Sequence, residues 1–346
     1  MPTEQEITEL YRSTFRKTPS KIERLPRSGS DRVYYRIFYG DETVIAAYNP
    51  IFEENEAFVG FTNHFAERGL PVPGIYRYLP EKHVYFLRDL GSVSLFTWLR
   101  DKEVEKGLDG EVTAFYKKVL DKLLLFQTEG VKGLDTSLCY PHKRFDRQSM
   151  LWDMNYFKYM YLKLLAVPFN EALLEKDFEE LIAFLLEAGQ DSFLYRDFQT
   201  ANIMVVNDEP WFIDYQGGRL GAPQYDLASL LYDAKIDMKQ SDRELLMEYY
   251  AGIFHDHMGF DKKLFESFYS GFALIRVMQA CGAFGFRGLY EKKPTFTESV
   301  VPGGNLLNRI VAEVEKHIRI PELAKAIRNI PKSTLFIELS LNIKTP

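Results

Sequence analysis

The hydrophobic pattern of this chain changes its period once, near residue 91, and that change restricts the folds that the chain can adopt. In the first ninety residues, short runs rich in β-branched and aromatic side chains alternate with turns. These runs predict strands over residues 21–25, 33–39, 43–48, 75–79 and 83–87. Helical periodicity in the same region predicts two helices, over residues 3–17 and 53–68.

Helical spacing dominates after Asp89-Leu90-Gly91. The predicted helices fall within residues 94–130, 149–166, 171–188, 224–236, 241–256, 261–286 and 305–318. A strand-rich island at 192–215 interrupts them. Residues 333–343 alternate between apolar and polar side chains, which predicts a final strand that the sequence assigns to no sheet.

Strands followed by helices, with a hinge between them, predict an α+β protein of two lobes. We expect a small antiparallel-sheet lobe over residues 1–91, with the hinge near 86–92, and a larger, mainly helical lobe over residues 92–332. Residues 333–346 would carry the terminal strand.

Composition excludes several classes of protein. The 346 residues are 46% hydrophobic and 27% charged, as in folded globular domains and unlike disordered chains. A formal net charge of −6 provides no overall attraction for nucleic acid or an anionic membrane. The apolar segment 268–286 contains Arg276 and Gln279, which favours a buried helix over a membrane span. Cys139 and Cys281 are too isolated to form a disulfide framework or a zinc motif, so we expect a soluble, cytoplasmic protein.

Three polar residues surround one predicted hairpin in the strand-rich island. Asp197 follows a short apolar run, and Asn202 comes five residues later. The next two strands, predicted over 203–206 and 211–213, are joined by a turn, and Asp214 ends the second. Because a hairpin brings its outer ends together, we expect Asn202 and Asp214 to be neighbours, with Asp197 on the loop leading in.

Two carboxylates and one amide oxygen suit a hard divalent cation and a proton acceptor. Phosphoryl transfer needs this set: an Asp orients the attacking hydroxyl group, while an Asn and a second Asp hold Mg²⁺ against nucleotide phosphates. The spacing from Asp197 to Asn202 also matches the D-x-x-x-x-N part of the kinase catalytic loop.

With these residues in place, the chain resembles the aminoglycoside phosphotransferase and choline kinase family. Within it, the chain is most similar to the bacterial kinases that phosphorylate the anomeric hydroxyl of N-acetylmuramate or N-acetylglucosamine in cell-wall recycling. The similar segments include the motifs SGSDRVYYR from Ser28, LRDLG from Leu87, YRDFQTAN from Tyr195 and FIDYQGGRLGAPQYDLASLL from Phe212. The resemblance implies a bilobal protein-kinase-like fold.

The resemblance also implies residue roles around the reacting groups. Asp197 would be the catalytic base or the group that positions the hydroxyl, and Asn202 and Asp214 would bind Mg²⁺. Asp226 would support the catalytic loop by accepting hydrogen bonds from its backbone. Arg196 belongs to the same loop, and Tyr195 stands where the family usually has a histidine that buttresses it.

Nucleotide binding would involve the first lobe and the hinge. Ser28, Gly29 and Ser30 would form the turn over the ATP phosphates, and residues 86–92, with Asp89, would lie beside the adenine. The third predicted strand, TVIAAY, has no lysine where kinases place the one that binds phosphate. Arg36 is our first candidate for a substituting cation, and Arg32 is the second.

The acceptor is expected to be a small molecule with a hydroxyl group, and we expect an N-acetylated amino sugar. Asp153, Tyr156, Arg276 and Gln279 are the candidate acceptor-binding residues. Aminoglycosides and choline-type alcohols are alternative acceptors, although the mixed charges of segments 140–180 and 260–300 slightly favour a neutral or anionic molecule. A catalytically inactive, kinase-like binding protein is the alternative from a different class: the missing lysine and Tyr195 favour it, and the intact Asp197, Asn202 and Asp214 oppose it.

Overall fold

A five-stranded antiparallel sheet forms the first lobe. The computed structural model describes residues 1–26, 32–100 and 102–343. The sheet order is β1-β2-β3-β5-β4, and two helices accompany it. The elements are α1 (Glu4–Phe15), β1 (Lys21–Arg24), β2 (Val33–Tyr39), β3 (Glu42–Tyr48), α2 (Phe52–Glu67), β4 (Ile75–Leu79) and β5 (Val84–Arg88). Each predicted strand and helix of this lobe is confirmed to within two residues at either end.

The two helices cover opposite faces of this sheet, which explains its alternating side chains. Ile7 and Tyr11 of α1 pack against one face in a small core with Tyr35 and Phe86. On the other face, Phe58 and other aromatic residues of α2 join a core that continues into the second lobe. The second face therefore ties the sheet to the rest of the molecule.

The second lobe is mainly helical. Its helices are α3 (Leu95–Leu99), α4 (Gly110–Thr128), α5 (Arg147–Phe157), α6 (Glu171–Leu186), α7 (Gln224–Leu231), α8 (Gln240–Met258), α9 (Lys262–Phe284), α10 (Pro294–Thr297), α11 (Val300–Val314), α12 (Pro321–Asn329) and α13 (Thr334–Ile343). The long helix α9 is central and packs against α5, α7 and α11. Of the helices described, none has the length and apolar character to cross a bilayer.

Two π-helical turns meet beside α9. One, Lys158–Leu162, continues α5, and the other, Gly285–Tyr290, continues α9. A Cβ atom on Gly285 would lie only 1.7 Å from the carbonyl oxygen of Met160, so a glycine is required for this close approach. The contact fixes the end of α9 against α5.

Four short strands lie between the helices α6 and α7. They are β6 (Ser192–Leu194), β7 (Ile203–Val206), β8 (Glu209–Phe212) and β9 (Arg219–Gly221). β7 and β8 form the predicted hairpin, with Ile203 opposite Phe212, and β6 pairs with β9. The β7–β8 ribbon contacts the first lobe, since the backbone N–H of Phe212 donates a hydrogen bond to the Pro71 carbonyl oxygen at 2.9 Å.

The predicted terminal strand is wrong, because residues 334–343 form the helix α13. Phe336 is buried at 3% exposure and packs against Gly304 of α11. By contrast, Ile337 and Leu341, which belong to the apolar face of the predicted strand, are 46% and 62% exposed. The backbone N–H of Phe336 donates to the Ser333 hydroxyl at 3.4 Å near the helix start. Packing against α11 thus overrides a local pattern that is typical of strands.

Candidate active site

The β7–β8 hairpin places Asn202 beside Asp214. Asn202 precedes β7, and Asp214 follows β8 by two residues. The backbone N–H of Ile213 donates to the Asn202 carbonyl at 3.1 Å, which extends the pairing beyond the strands. As a result, the Asn202 amide nitrogen lies 3.3 Å from Oδ2 of Asp214 and donates a hydrogen bond to it.

Asp197 lies on the loop between β6 and this hairpin. Asn202 Nδ2 also donates to the Asp197 carbonyl oxygen at 2.9 Å, so one amide group links the loop to Asp214. Arg196 and Asp214 both adopt left-handed backbone conformations, with φ of 83° and 72°. Such conformations are costly for residues other than glycine and are concentrated at functional sites. The structure therefore brings the three predicted residues together.

The oxygen atoms of this cluster fit a hard divalent cation. The Asn202 amide nitrogen makes both of these hydrogen bonds, so the side-chain oxygen of Asn202 is the atom that would bind a cation. Asp214 adds a carboxylate. Within the described residues no group of three or more His, Cys, Asp or Glu side chains could hold a metal ion. A cation here would complete its shell with phosphate oxygens and water, as Mg²⁺ does.

Several charges act on the Asp197 carboxylate. Burial raises its pKa above the ordinary value, and the negative charge of Asp214 raises it further. The positive charges of Arg276, Arg196 and Arg219 oppose this rise in pKa. The carboxylate of Asp214 and the three arginines therefore act on the pKa of Asp197 in opposite directions.

The carboxylate of Asp226 fixes the backbone of the catalytic loop. It accepts hydrogen bonds from the N–H groups of Tyr195 at 2.6 Å and Arg196 at 3.0 Å. The amide nitrogen of Gln127 donates a third bond, at 3.3 Å. Burial raises the pKa of Asp226 to about 7, while the two backbone donors act to lower it. Asp226 thus lies under the loop, where the resemblance implies a supporting role.

Asp153 and Arg196 form a bidentate ion pair beneath the cluster. The two guanidinium nitrogens of Arg196 lie 2.7 Å and 2.6 Å from the two Asp153 oxygens. Arg196 also donates to the Tyr225 hydroxyl at 2.7 Å. Since both oxygens of Asp153 are engaged, the structure favours positioning of the loop over the acceptor contact that the sequence suggested.

The other candidate acceptor residues occupy two places. Arg276 donates to the Ser229 hydroxyl and to the side-chain oxygen of Gln279, each at 2.9 Å. Its positive charge also acts to lower the pKa of Asp197. Tyr156 is packed against Gly282 and Phe286, and the structure records no contact between its hydroxyl and Asp197 among the described residues.

A cavity of about 360 Å³ adjoins Asn202 and Asp214 on the side of the first lobe. Its apolar walls come from β2, β3 and β5 and from the β7–β8 hairpin, and include Tyr34, Ile45, Leu87, Met204 and Ile213. Asp89, Leu90 and Gly91, which connect β5 with α3, form one edge. Ser28, Gly29 and Ser30 lie outside the described residues.

The two candidate cations of the first lobe have different partners. Arg36 makes a bidentate pair with Asp89, at 2.6 Å and 3.0 Å, and donates to the Gly91 carbonyl at 2.9 Å. Arg32 donates to Asp214 Oδ1 at 3.1 Å and to Glu54 at 2.6 Å. Arg36 therefore organises the segment after β5, whereas Arg32 contacts the cluster itself.

Sequence reasoning missed Glu54 and Arg219. Glu54 lies in the first turn of α2, and an acidic residue at that place in the helix after β3 was the available signal. Arg219 follows two glycines between Asp214 and Asp226 and is 6% exposed. Burial lowers the pKa of Arg219 to about 10, and the nearby Arg196 charge adds to this effect.

Two curated relatives share part of the chain. The N-acetylmuramate/N-acetylglucosamine kinase of Pseudomonas aeruginosa is 24% identical over 221 residues, which cover 62% of this chain and 61% of that protein. The kinase of the same name from Neisseria meningitidis is 26% identical over 157 residues, 44% of each chain. The chain thus matches less than two thirds of the length of either relative.

Solved structures with low sequence identity share the fold. An ethanolamine kinase of Plasmodium vivax superposes with a TM-score of 0.60 at 12% identity, covering 85% of this chain and 84% of that one. A thermostable mutant of the aminoglycoside phosphotransferase APH(4)-Ia, bound to ADP and hygromycin B, gives 0.57 at 14% identity, covering 89% and 98%. Both comparisons confirm the expected kinase-like architecture of a sheet lobe and a larger helical lobe.

A family model provides the remaining comparison. The model of the phosphotransferase enzyme family matches residues 21–258, which include most of the first lobe, the β7–β8 hairpin and Asp226. Because this match covers well over half of the chain, the protein belongs to the phosphotransferase enzyme family.

Proposed function

We propose that this protein is a Mg²⁺- and ATP-dependent kinase that phosphorylates a hydroxyl group of a small N-acetylated amino sugar in the cytoplasm. The observation that carries the proposal is the convergence of Asp197, Asn202 and Asp214, of which Asn202 and Asp214 also line the cavity between the lobes. Kinase chemistry depends mainly on positioning and on neutralising phosphate charge, and these three side chains suit both tasks.

Each residue of the cluster has a distinct task in this proposal. The Asp197 carboxylate accepts the proton of the acceptor hydroxyl or orients that hydroxyl toward the phosphorus atom. Asn202 and Asp214 would hold Mg²⁺, which supplies positive charge to the transferring phosphoryl group. Asp226 keeps the loop in place through the backbone of Tyr195 and Arg196.

The cavity of about 360 Å³ is the proposed nucleotide site. Its apolar walls would enclose the adenine, and the segment from Asp89 to Gly91 would provide backbone groups at the edge of the base. The end formed by Asn202 and Asp214 would receive the phosphates. The bound ADP of the aminoglycoside phosphotransferase structure supports ATP as the co-substrate. Cys139 and Cys281 are free, buried thiols, as expected for a cytoplasmic chain.

Charges near Asp197 support an anionic or neutral acceptor. The Asp153 carboxylate balances Arg196. The contacts recorded for Arg219 and Arg276 in the described part of the chain are to carbonyl, hydroxyl and amide oxygens, so their positive charges are not balanced by an ion pair there. These two arginine charges favour a neutral or anionic acceptor over a cationic aminoglycoside or choline. The names of the two curated relatives support an N-acetyl sugar.

The decisive test is ADP release with a panel of acceptors: N-acetylmuramate, N-acetylglucosamine, hygromycin B and choline. We expect Mg²⁺-dependent turnover with the N-acetyl sugars. Asp197→Asn should lower kcat by about 10²–10⁴-fold, the usual contribution of a general base, and should keep nucleotide binding. Asp191→Asn is the matched control, because that side chain is exposed and lies outside the cluster.

Other results of this assay would indicate a different acceptor, a protein without catalytic activity or a different role for Asp197. Turnover with hygromycin B or choline but with neither N-acetyl sugar would contradict the amino-sugar acceptor. The proposed kinase chemistry would still hold. Thermal stabilisation by Mg²⁺ and ATP without turnover on any acceptor would favour a kinase-like binding protein. Full activity of Asp197→Asn would remove Asp197 from its proposed role.

A further inference from the structure

We propose that Arg32 takes the place of the missing third-strand lysine and binds the nucleotide phosphates from a position between Glu54 and Asp214. This inference rests on the proposed kinase function. The residues of β3, ETVIAAY, include neither lysine nor arginine. A kinase nevertheless needs a cation beside the phosphates, held in place by a glutamate of the helix that follows this strand.

Arg32 reaches this place from the neighbouring strand. It directly precedes β2, and the first residue of β2, Val33, pairs with Tyr48 at the end of β3. The guanidinium group is buried, with the side chain 3% exposed. Its Nη2 lies 2.6 Å from a Glu54 oxygen, and its Nη1 lies 3.1 Å from Asp214 Oδ1. One arginine thus joins the helix of the first lobe to the proposed metal-binding carboxylate.

The surrounding residues fix Glu54 for this role. The Asn49 amide nitrogen donates to the same Glu54 oxygen that Arg32 contacts, at 3.0 Å. Asn49 itself is held because its side-chain oxygen accepts from the Ile51 N–H at 3.2 Å and its carbonyl oxygen accepts from Asn55 at 2.8 Å. Glu54 and Arg32 are therefore ordered before any nucleotide binds, which lowers the entropic cost of binding.

The other arginines near the cavity are committed elsewhere. Arg36, our first candidate from the sequence, has its contacts with Asp89 and Gly91. Arg88 lies over the Trp211 ring, 4.4 Å from its centroid. Of the three, Arg32 is the one that touches Asp214. A guanidinium group carries five donor hydrogens in a fixed planar arrangement, a geometry that suits recognition of phosphate oxygens.

The test compares binding of ATP, ADP and adenosine by calorimetry, since adenosine has the base and ribose without phosphates. Arg32→Met should weaken ATP and ADP binding by about tenfold or more, the strength of one charge-assisted contact, and should leave adenosine binding unchanged. Arg32→Lys should recover part of the loss. Arg147→Met is the matched control, because Arg147 forms an exposed pair with Glu179.

Two further variants keep the inference falsifiable if Arg32→Met unfolds. Glu54→Gln, which leaves Arg32 in place, should weaken ATP binding in the same direction by a smaller factor. Arg36→Met should weaken adenosine and ATP alike, because Arg36 contacts the segment beside the proposed base site. Equal losses for adenosine and ATP in Arg32→Lys, or unchanged ATP binding in Arg32→Met, would overturn the role of Arg32. A wild-type protein that binds no nucleotide would instead overturn the proposed function, and this inference with it.

Discussion

The hydroxyl group of Tyr195 donates a 2.5 Å hydrogen bond to the carbonyl oxygen of Ile213, the residue before Asp214. Tyr195 is 1% exposed, and its ring packs edge-on against Phe126, Phe198 and Tyr215. The bond links the loop that carries Asp197 to the end of the hairpin that carries Asp214. A tyrosine can therefore connect these two segments at the position where the family usually has histidine.

Replacing Tyr195 by phenylalanine should distinguish the contribution of this hydrogen bond from the contribution of the packed ring. Tyr195→Phe keeps the aromatic ring but leaves the carbonyl of the half-buried Ile213 without its donor, which should lower the free energy of unfolding by about 0.5–1.5 kcal/mol. We also expect kcat to fall, because Asp197 and Asp214 lose a shared constraint. Chemical denaturation and steady-state kinetics measure the two effects.

Tyr269→Phe is the matched control for this prediction. Tyr269 is also buried, and its hydroxyl has no hydrogen-bond partner among the described residues. Its removal should change stability little and leave kcat unaltered. If the two substitutions have equal effects on stability and kcat, the Tyr195 hydroxyl contributes no more to either property than the unpaired hydroxyl of Tyr269.

Much of the first lobe could be predicted because its signals are local. The strands alternate with period two, and turns such as that at Gly40, where φ is 57°, separate them. The terminal helix was missed because its decisive contact is distant: Phe336 of α13 packs against Gly304 of α11. A local pattern contains no information about that partner.

In the candidate site too, contacts between residues close in sequence could be predicted, whereas contacts between distant residues could not. Asp197, Asn202 and Asp214 lie within one short segment, so the geometry of a hairpin suffices to bring them together. By contrast, Arg32 and Asp214 are 182 positions apart in the chain. Asp153 and Arg196 are 43 positions apart, and this pair suggests loop positioning where the sequence indicated an acceptor contact. Pairs of this kind depend on the packing of whole lobes.

Asp153→Asn distinguishes these two roles for Asp153. If it positions the loop, the substitution leaves the Arg196 charge buried without its partner, a change that costs about 3–5 kcal/mol in comparable pairs. We expect a lower melting temperature and a lower kcat, with the KM for the acceptor nearly constant. Glu179→Gln, which breaks an exposed arginine pair, should have little effect by comparison. A raised acceptor KM with unchanged stability would instead support direct contact with the acceptor.

The pH dependence of kcat/KM should report on Asp197. Its pKa is raised, first by burial and then by the Asp214 charge, while Arg276 acts to lower it. The reaction requires the ionised carboxylate, so kcat/KM should rise with pH, and its acid limb should lie above the pKa of an ordinary aspartate. Arg276→Gln removes a charge that lowers this pKa, so the acid limb should move to still higher pH. Arg147→Gln, which changes an exposed ion pair, should leave the acid limb in place. An acid limb that does not move in Arg276→Gln would contradict its assignment to Asp197.

Arg219 should discriminate between acceptors by charge. Its side chain is buried near Asp197, and its recorded partners are the carbonyl oxygens of Gly217 at 3.1 Å and Tyr140 at 3.4 Å. N-acetylmuramate carries a carboxylate that N-acetylglucosamine lacks. Arg219→Gln should therefore raise the KM for N-acetylmuramate by about tenfold, the value of one charged hydrogen bond, and raise the KM for N-acetylglucosamine much less.

A lysine variant separates charge recognition from structural support at this position. Arg219→Lys should restore part of the affinity for N-acetylmuramate, because it retains a positive charge without the guanidinium geometry. The measurement is the ratio of the two KM values in the wild type, Arg219→Gln and Arg219→Lys. If Arg219 only supports the fold, its substitution should change both KM values together and lower the melting temperature. An unchanged ratio in Arg219→Gln would thus assign the preference between the two sugars to other residues.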